Sequence, residues 1–349
     1  MRRLIGFEYY PPLPIPRRVS LVGMLVIVVA LAIWPLYASP FLNNTVSMIL
    51  TYAVVGMGLN LLTGYTGQIS IGHNAFVAFG GYTAAILAMN GIDMLWAFPI
   101  AAVLCYVVGL VIGLPALRMG NLQFALVTLA LAMTLPAILK RFSFLTNGFN
   151  GISLNILAPE WTGLARDQWV FYICLLVAVL AMYVSTRLAG GRIGRSLVAV
   201  RDFENVARSV GVRTAIVKTQ IFAISAIFAG IGGVLYAFVV RFVSAESFGL
   251  GLAIAFITMI VVGGLSTTAG AVFGAIFVQL VPVWTSSIGP GGASVAYGIT
   301  LVAFIFLAPA GIVGLLRRGG HALLSRRKLR RARSELYSGH YITAETGIE

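Results

Sequence analysis

TQIFAISAIFAGIGGVLYAFVV, residues 219–240, runs for 22 residues without a charged side chain. A helix of about 20 predominantly apolar residues is long enough to cross the hydrocarbon core of a bilayer, which is about 30 Å thick. Further apolar stretches lie at 19–38, 42–63, 74–90, 94–114, 122–139, 169–187, 250–265, 270–288 and 294–316. The sequence therefore predicts an all-α fold, a polytopic transmembrane helical bundle of about ten spans.

The composition of the whole chain agrees with this segment. Apolar residues make up 59% of the 349 residues and charged residues only 10%, whereas soluble domains are about 45–50% apolar and about 25% charged. So few charges cannot cover a surface that faces water, and membrane lipid is therefore the expected surrounding. The two cysteines, Cys105 and Cys174, lie inside apolar runs and are predicted to be small buried residues. No Cys/His cluster suggests a metal.

The positive charge indicates an orientation in the membrane. A net charge of +14 would suggest nucleic-acid binding in a soluble protein. Sorted by predicted loop, however, 20 Lys and Arg fall in the leader, at Arg118, in the loop 187–218 and in the tail from Arg317. The four on the other side are Lys140, Arg141, Arg166 and Arg241. The positive-inside rule then predicts that both termini and the loop 187–218 are cytoplasmic, with no nucleic-acid partner.

The same map divides the chain into three regions. Residues 1–18 form a leader rich in proline and arginine, residues 19–316 form the transmembrane domain with its cytoplasmic loop 188–218, and residues 317–349 form a basic tail. We expect the leader and tail to be cytoplasmic, with the basic tail contacting lipid headgroups.

The residue types in the spans exclude several classes of chemistry. All ten acidic residues fall in predicted loops or termini, which disfavours a proton-coupled carrier, although a sodium site made of carbonyls and hydroxyls stays possible. None of the lysines, Lys140, Lys218 and Lys328, follows a glycine, so the phosphate-binding motif G-x-x-x-x-G-K-[ST] is absent. No catalytic residue, metal ligand or cofactor is predicted for this chain, and any ATP must be bound by a partner subunit.

The 25-residue insertion 194–218 is the most informative polar segment. Between positions 195 and 210 its apolar residues recur every three or four positions, which predicts one amphipathic helix. Glu204 precedes Arg208 by four residues as a favourable pair, and Gly211 is the expected C-cap breaker. The helix could lie on the membrane, cap its own bundle or dock on a soluble partner; the lack of an energy-converting residue favours docking. The apolar stripe comprises Leu197, Val200, Phe203, Val206 or Ala207, and Val210.

A second segment, GYTGQISIGHN at 64–74, lies between the second and third spans. Its glycines and polar residues disfavour a regular helix, and irregular backbone at membrane depth survives only where it is buried in protein or lines a wet cavity. Its polar groups therefore either satisfy freed backbone groups or contact substrate. A third segment, GGLSTTAG at 263–270, also lies between spans on the cytoplasmic side, and the sequence relates the two segments no further. The candidates for a pathway or broken helix are Asn60, Gly64, Gly67, Gln68, Ser70, Gly72, His73 and Asn74.

Small residues four positions apart recur within the spans, and they let helix backbones approach closely. We expect such pairs to pack within this bundle rather than form a subunit interface. The pairs are Gly109/Gly113, Ala226/Gly230, Ala229/Gly233 and Gly270/Gly274.

Three motifs in order carry a resemblance to a known family. They are GLNLLTGYTGQISIGHNAFVAFGGY at 58–82, GRSLVAVRD at 194–202 leading to Gly211, and ISAIFAGIGGVLYA at 224–237. With a similarity that covers about residues 45–315, they resemble the permease subunits of bacterial branched-chain amino acid ABC importers of the Liv type. The loop 188–218 looks like the ATPase-coupling loop of that family. The resemblance thus implies coupling contacts for Arg195, Ser196, Val200, Arg201, Asp202, Phe203, Glu204 and Gly211.

The resemblance also implies an assembly in the bacterial inner membrane. Its expected partners are a second permease, by resemblance a paralogue, two ATPase subunits that bind the ATP, and a periplasmic or lipid-anchored substrate-binding protein. The permease itself would then perform no hydrolysis. Importers of urea and short-chain amides use closely related permeases and are the alternative within the family, while an ion-coupled secondary transporter and a non-transporting scaffold are alternatives of other classes.

Overall fold

The structure is a computed structural model that describes residues 17–116, 120–156, 158–285, 295, 298–304 and 311–318. Most of the predicted leader, the tail beyond residue 318 and part of the last predicted span, 294–316, lie outside these residues. The described part of the chain is mostly helical. Its α-helices are α1 (Arg17–Tyr37), α2 (Pro40–Leu59), α3 (His73–Met89), α4 (Ala97–Ala116), α5 (Asn121–Arg141), α6 (Ser143–Thr146), α7 (Arg166–Gly190), α8 (Arg192–Asp202), α9 (Glu204–Ser209), α10 (Thr214–Val240), α11 (Leu250–Gly263) and α12 (Thr268–Thr285), and residues 298–304 and 311–318 are also helical.

Helical residues occupy all ten predicted span positions within the described ranges, but the count of ten spans is not confirmed. Six helical segments there are both long and apolar enough to cross a membrane. Helix α3 is not among them; it has 17 residues because the glycine-rich stretch before it is not helical. The six segments are Pro40–Tyr65, Met94–Pro115, Asn121–Arg141, Arg166–Gly190, Thr214–Val240 and Ala245–Gly263.

Helices α2 and α10 form the centre of the bundle. In their apolar stretches 78% and 72% of the residues are buried, compared with 28% in α4 and in α5. Helix α10 packs against α2, α3 and α4, while α2 also contacts α7 and α12. The outward faces of α4 and α5 are apolar and exposed, as expected for helices that contact lipid rather than water.

Small residues make the close contacts of α10 possible. A Cβ atom added at Gly109 of α4 would lie 2.9 Å from the Ala223 Cα and 3.1 Å from the Ala226 Cβ of α10. A Cβ atom added at Gly233 would overlap the carbonyl oxygen of Val77 in α3. For these positions the prediction of packing within the bundle is confirmed.

Both cysteines are free and fully buried. Cys105 lies on α4 and Cys174 on α7, where its Sγ is 3.9 Å from the Thr51 Oγ1 of α2. The prediction that they are small buried residues is confirmed, and each fills space between packed helices.

One end of the bundle carries α8 and α9, and we call it the α8 end. At the far end a short antiparallel ladder joins β1 (Ile152–Ser153) to β2 (Phe242–Val243), with Ile152 opposite Val243. The far end also contains an ion pair, in which Lys140 Nζ lies 2.9 Å from Glu246 Oε1. The candidate site residues lie towards the α8 end and in the adjoining interior.

Candidate functional site

The loop predicted to form one amphipathic helix forms two. Helix α8 ends at Asp202 and α9 begins at Glu204, because Phe203 between them has φ −148° and ψ 72°, outside the helical region. The prediction of an unbroken helix is therefore wrong. Gly211 has φ +87°, and its N–H donates to the Arg208 carbonyl 3.0 Å away, so it ends α9 as the sequence predicts.

The break divides the predicted apolar stripe between two faces. Leu197, Val200 and Ala207 are buried against the bundle. Phe203, Val206 and Val210, which we call the exposed triad, are 62%, 59% and 74% exposed. Val200 packs α8 against the bundle, and the exposed triad is the part of the predicted stripe that faces away from it. The ATPase contact of Val200 stays a prediction.

The remaining coupling candidates lie around this surface. Arg195 and Asp202 are exposed, and Ser196 is half-buried with its Oγ donating to the Arg192 carbonyl at 3.2 Å. Glu204 links α9 to α10, because its Oε1 accepts from Arg208 Nη2 at 2.9 Å and its Oε2 from Lys218 Nζ at 2.7 Å. The predicted pairing of Glu204 with Arg208 is confirmed, and the bond from Lys218 adds a tie that spacing alone does not indicate.

The charge on Glu204 is stabilised by these two cations. Burial would raise the pKa of its carboxyl, but the hydrogen bonds and positive charges of Lys218 and Arg208 outweigh burial and lower the pKa below its ordinary value. A lowered pKa means that the pair contributes stability at pH above the ordinary glutamate pKa. That contribution is lost as the pH falls through the lowered pKa.

We expect Glu204→Gln to loosen α9 without unfolding the bundle. The amide keeps the shape but loses the charge, and a partly exposed ion pair of this kind is worth about 1 kcal/mol. Backbone amide exchange over residues 204–210 should therefore accelerate about fivefold, as measured by hydrogen–deuterium exchange. Glu246→Gln, which breaks the exposed far-end pair with Lys140, is the matched control and should leave α9 exchange unchanged. Equal exchange over 204–210 in the two variants would contradict the role of Glu204.

The glycine-rich segment is irregular as predicted, and it begins inside α2. Residues Asn60–Tyr65 continue α2 as a π-helix, and residues 67–72 are not helical. Gly67 has φ +73°, a conformation that favours glycine, and Gly72 immediately precedes α3. Backbone groups freed by this irregular geometry need other partners.

Several of those partners come from the turn between α11 and α12, where the second glycine-rich stretch lies. Asn60 Nδ2 donates to the Thr267 carbonyl at 2.7 Å, and Asn60 Oδ1 accepts from the Ser266 N–H at 2.9 Å. Ser266 Oγ donates to the Gly64 carbonyl at 2.7 Å. Asn60 Nδ2 also lies 3.4 Å from the Gly264 carbonyl, so the two segments that the sequence left unrelated are joined by four hydrogen bonds at the α8 end.

An arginine from α8 completes this cluster. Arg201 Nη1 donates to the Gly64 carbonyl at 2.9 Å and to Ser266 Oγ at 2.7 Å, while its Nε lies 3.0 Å from Asp202 Oδ1. We call Asn60, Gly64, Arg201, Ser266 and Thr267 the polar node. The sequence singled out Asn60, Gly64 and Arg201 separately, but nothing local to any of them indicates that they meet.

Deeper in the bundle, the polar side chains of the first segment are largely satisfied within the protein. His73 Nδ1 lies 3.0 Å from Ser70 Oγ and its Nε2 3.1 Å from Ser225 Oγ, which itself donates to the Phe222 carbonyl. These partners suit a neutral imidazole with its proton on Nε2. The contacts support an internal structural role for Ser70 and His73 rather than a free substrate-binding surface.

Asn74 and Gln68 differ from this pattern. Asn74 Nδ2 donates to the Phe248 carbonyl at 2.7 Å, but its Oδ1 has no partner among the described residues. Gln68 is buried, its Oε1 likewise has no partner there, and it lines a narrow crevice with Lys218 and Thr219. Gln68 and Asn74 therefore each keep a buried oxygen without a partner among the described residues, and their place in a pathway stays a prediction.

Comparison with known proteins places the chain among membrane transport subunits. Residues 41–308 match the family described as the branched-chain amino acid transport system permease component. The high-affinity branched-chain amino acid transport system permease protein LivM of Escherichia coli K12 is 29% identical over 287 residues, covering 75% of this chain and 67% of that protein. LivM of Salmonella typhimurium is 30% identical with the same coverage. LivH of Escherichia coli K12 is 25% identical, covering 80% of this chain and 96% of LivH. No solved structure matches the chain.

Proposed function

Because this chain belongs to the family of branched-chain amino acid transport permease components, we propose that it forms part of the translocation pathway of an ATP-driven importer for branched-chain amino acids. It is a multi-pass membrane protein and a transport subunit, not an enzyme. ATP is bound and hydrolysed by separate ATPase subunits, since the chain contains no phosphate-binding loop.

The orientation we propose puts the α8 end in the cytoplasm of a bacterium, with the chain in the inner membrane. The supporting observation is the excess of Lys and Arg in the loops assigned to that side. The far end, which carries the pair Lys140–Glu246, then faces the substrate-binding protein. In this orientation α8 and α9 are available to ATPase subunits.

The exposed triad is the observation that carries the coupling proposal. Phe203, Val206 and Val210 form an apolar surface on α9 and the residues that flank it, and such a surface fits a groove on a soluble partner. Exposed Arg195 and Asp202 lie on the neighbouring helix α8 and supply a polar rim of the kind found around interface cores. ATP-driven closure of the ATPases would move this surface, and substrate would cross by alternating access.

The full assembly we propose contains a second permease, two ATPase subunits and a periplasmic or lipid-anchored binding protein. The similarity of this chain to both LivM and LivH supports a pair of related but different permeases. In such an assembly selectivity is set largely by the binding protein, which delivers the substrate. Urea and short-chain amides remain the competing substrates within the family.

Uptake of labelled leucine into proteoliposomes that contain the reconstituted complex tests the proposal. Uptake should require ATP on the side of the membrane where the ATPase subunits lie and binding protein on the opposite side. Unlabelled isoleucine or valine should compete with labelled leucine for uptake. Uptake that proceeds without ATP and follows an imposed sodium or proton gradient would refute it. If urea or acetamide competes instead, the substrate is urea or a short-chain amide, as for the related importers of the same family.

A further inference from the structure

We propose that Arg201 is the positioning residue that transmits movement of α8 to the two broken membrane segments, an inference that rests on the proposed function. The polar node contains residues from three separate segments of the chain. Arg201 belongs to α8, Asn60 and Gly64 belong to the π-helix that continues α2, and Ser266 and Thr267 belong to the turn between α11 and α12.

The guanidinium group of Arg201 lies off the surface that faces a partner. Its side chain is 29% exposed, and Nη1 reaches both the Gly64 carbonyl and Ser266 Oγ, at 2.9 and 2.7 Å. Phe203, two residues further on, is instead 62% exposed. The two sides of the α8–α9 junction thus have different contacts: in this proposal Phe203 contacts the partner, whereas Arg201 is hydrogen-bonded to the bundle.

The acceptor that Arg201 uses exists because the helix is broken there. Carbonyl groups at the end of a helix lack intrahelical partners, and the Gly64 carbonyl near the end of the π-helix receives two donors from outside it, Ser266 Oγ and Arg201 Nη1. A planar guanidinium can hold two acceptors in fixed directions, and the positive charge strengthens both bonds. The contact is therefore directional, unlike the apolar packing of Leu197 and Val200 beside it.

The two segments gripped by Arg201 are also tied to each other. Asn60 is hydrogen-bonded to both Ser266 and Thr267. A displacement of the π-helix or of the turn between α11 and α12 would therefore displace the other segment as well. Ser266 has φ 59° and Gly264 has φ 118°, so the turn between α11 and α12 is not held by a helical hydrogen-bond ladder. A shift of α8 would move the end of α2 and this turn together, while the centre of the bundle keeps its packing.

Gly67 gives a second way to disturb the same residue. Its φ of +73° carries the chain past Arg201, and an added Cβ would lie 2.9 Å from the Arg201 Cγ. Gly67→Ala should therefore displace the Arg201 side chain without removing any polar group, and it also strains the backbone at residue 67 because of the positive φ there. If Arg201 acts through its position, this variant and Arg201→Gln should have the same consequence and should not add.

The test uses the reconstituted complex and measures leucine imported per ATP hydrolysed. We expect Arg201→Gln to assemble with the ATPases and to retain at least half of the ATPase rate, while the import ratio falls at least tenfold. Arg201→Lys should restore part of the ratio, and Gly67→Ala should lower it alone but not further in the Arg201→Gln background. Arg187→Gln, which changes an exposed arginine at the end of α7, is the control and should keep the wild-type ratio.

If the wild-type complex imports leucine normally and Arg201→Gln keeps the wild-type ratio of leucine imported to ATP hydrolysed, this inference is wrong but the proposed function stands. This holds even if the import rate and the ATPase rate of the variant fall in parallel. If Arg201→Gln does not assemble, the same criterion applies to Ser266→Ala, which removes one of the two acceptors of Arg201 Nη1. A wild-type complex that imports no leucine with ATP would overturn the proposed function, and the inference with it.

Discussion

Phe203→Asp is expected to reduce ATP-driven leucine uptake more than a hundredfold. Burying a Phe side chain in a partner contributes about 1.5–3 kcal/mol, and an unpaired carboxylate in the same place costs several kcal/mol more. Each 1.4 kcal/mol changes affinity about tenfold. Because Phe203 is already 62% exposed, the bundle itself should fold normally. Uptake by the reconstituted complex and recovery of ATPase subunits with the purified permease measure the two effects.

Phe144→Asp is the matched control for ATPase recovery. Phe144 is also a largely exposed phenylalanine, at 80%, but it lies on α6 at the far end. ATPase subunits should be recovered with this variant as with the wild type. Full ATPase recovery and full uptake in Phe203→Asp would show that the docking surface is not the exposed triad. Val200→Asp does not serve this purpose, because Val200 is buried and its replacement would detach α8.

Gly233→Val is expected to prevent the bundle from assembling. Its side chain would have to occupy the position of the Val77 carbonyl oxygen on α3. Overpacking in a core costs about 1–3 kcal/mol where side chains can adjust, and we expect more here because the obstacle is backbone. The yield of monodisperse protein in detergent should fall severely, and any recovered protein should melt at a lower temperature.

Gly251→Val makes the same change where there is room. Gly251 lies on α11, is exposed, and has nothing within 4 Å of an added Cβ. Yield and melting temperature should stay at wild-type values. Recovery of Gly233→Val with the melting temperature of the Gly251→Val control would contradict the close α3–α10 contact.

The positions of the helices could be predicted because apolar runs of about 20 residues are a strong and local signal. The predicted third span, 74–90, also has the 17 residues of α3. The end of α2 could not be predicted, because the π-helix extends that segment to Tyr65, beyond the predicted end at residue 63. Where the helix breaks depends on which freed carbonyls find partners elsewhere.

The candidate site was predictable residue by residue but not as a constellation. The period of the apolar stripe correctly places Leu197 and Val200 on one face, but periodicity carries no information about the backbone angles of Phe203, where the face changes. Asn60 and Ser266 are more than 200 residues apart. Their pairing follows from how α2, α11 and α12 pack, and no pattern in a single sequence indicates it.

The burial of the only two thiols has a practical consequence for chemical labelling. Cys105 and Cys174 are fully enclosed between helices, so a water-soluble maleimide should leave the folded wild-type chain unmodified. A cysteine introduced at an exposed position would then be the one site that takes the label, with no need to replace either native thiol. Spectroscopic reporters on α9 and at the far end could in this way follow both ends of the bundle during a transport cycle.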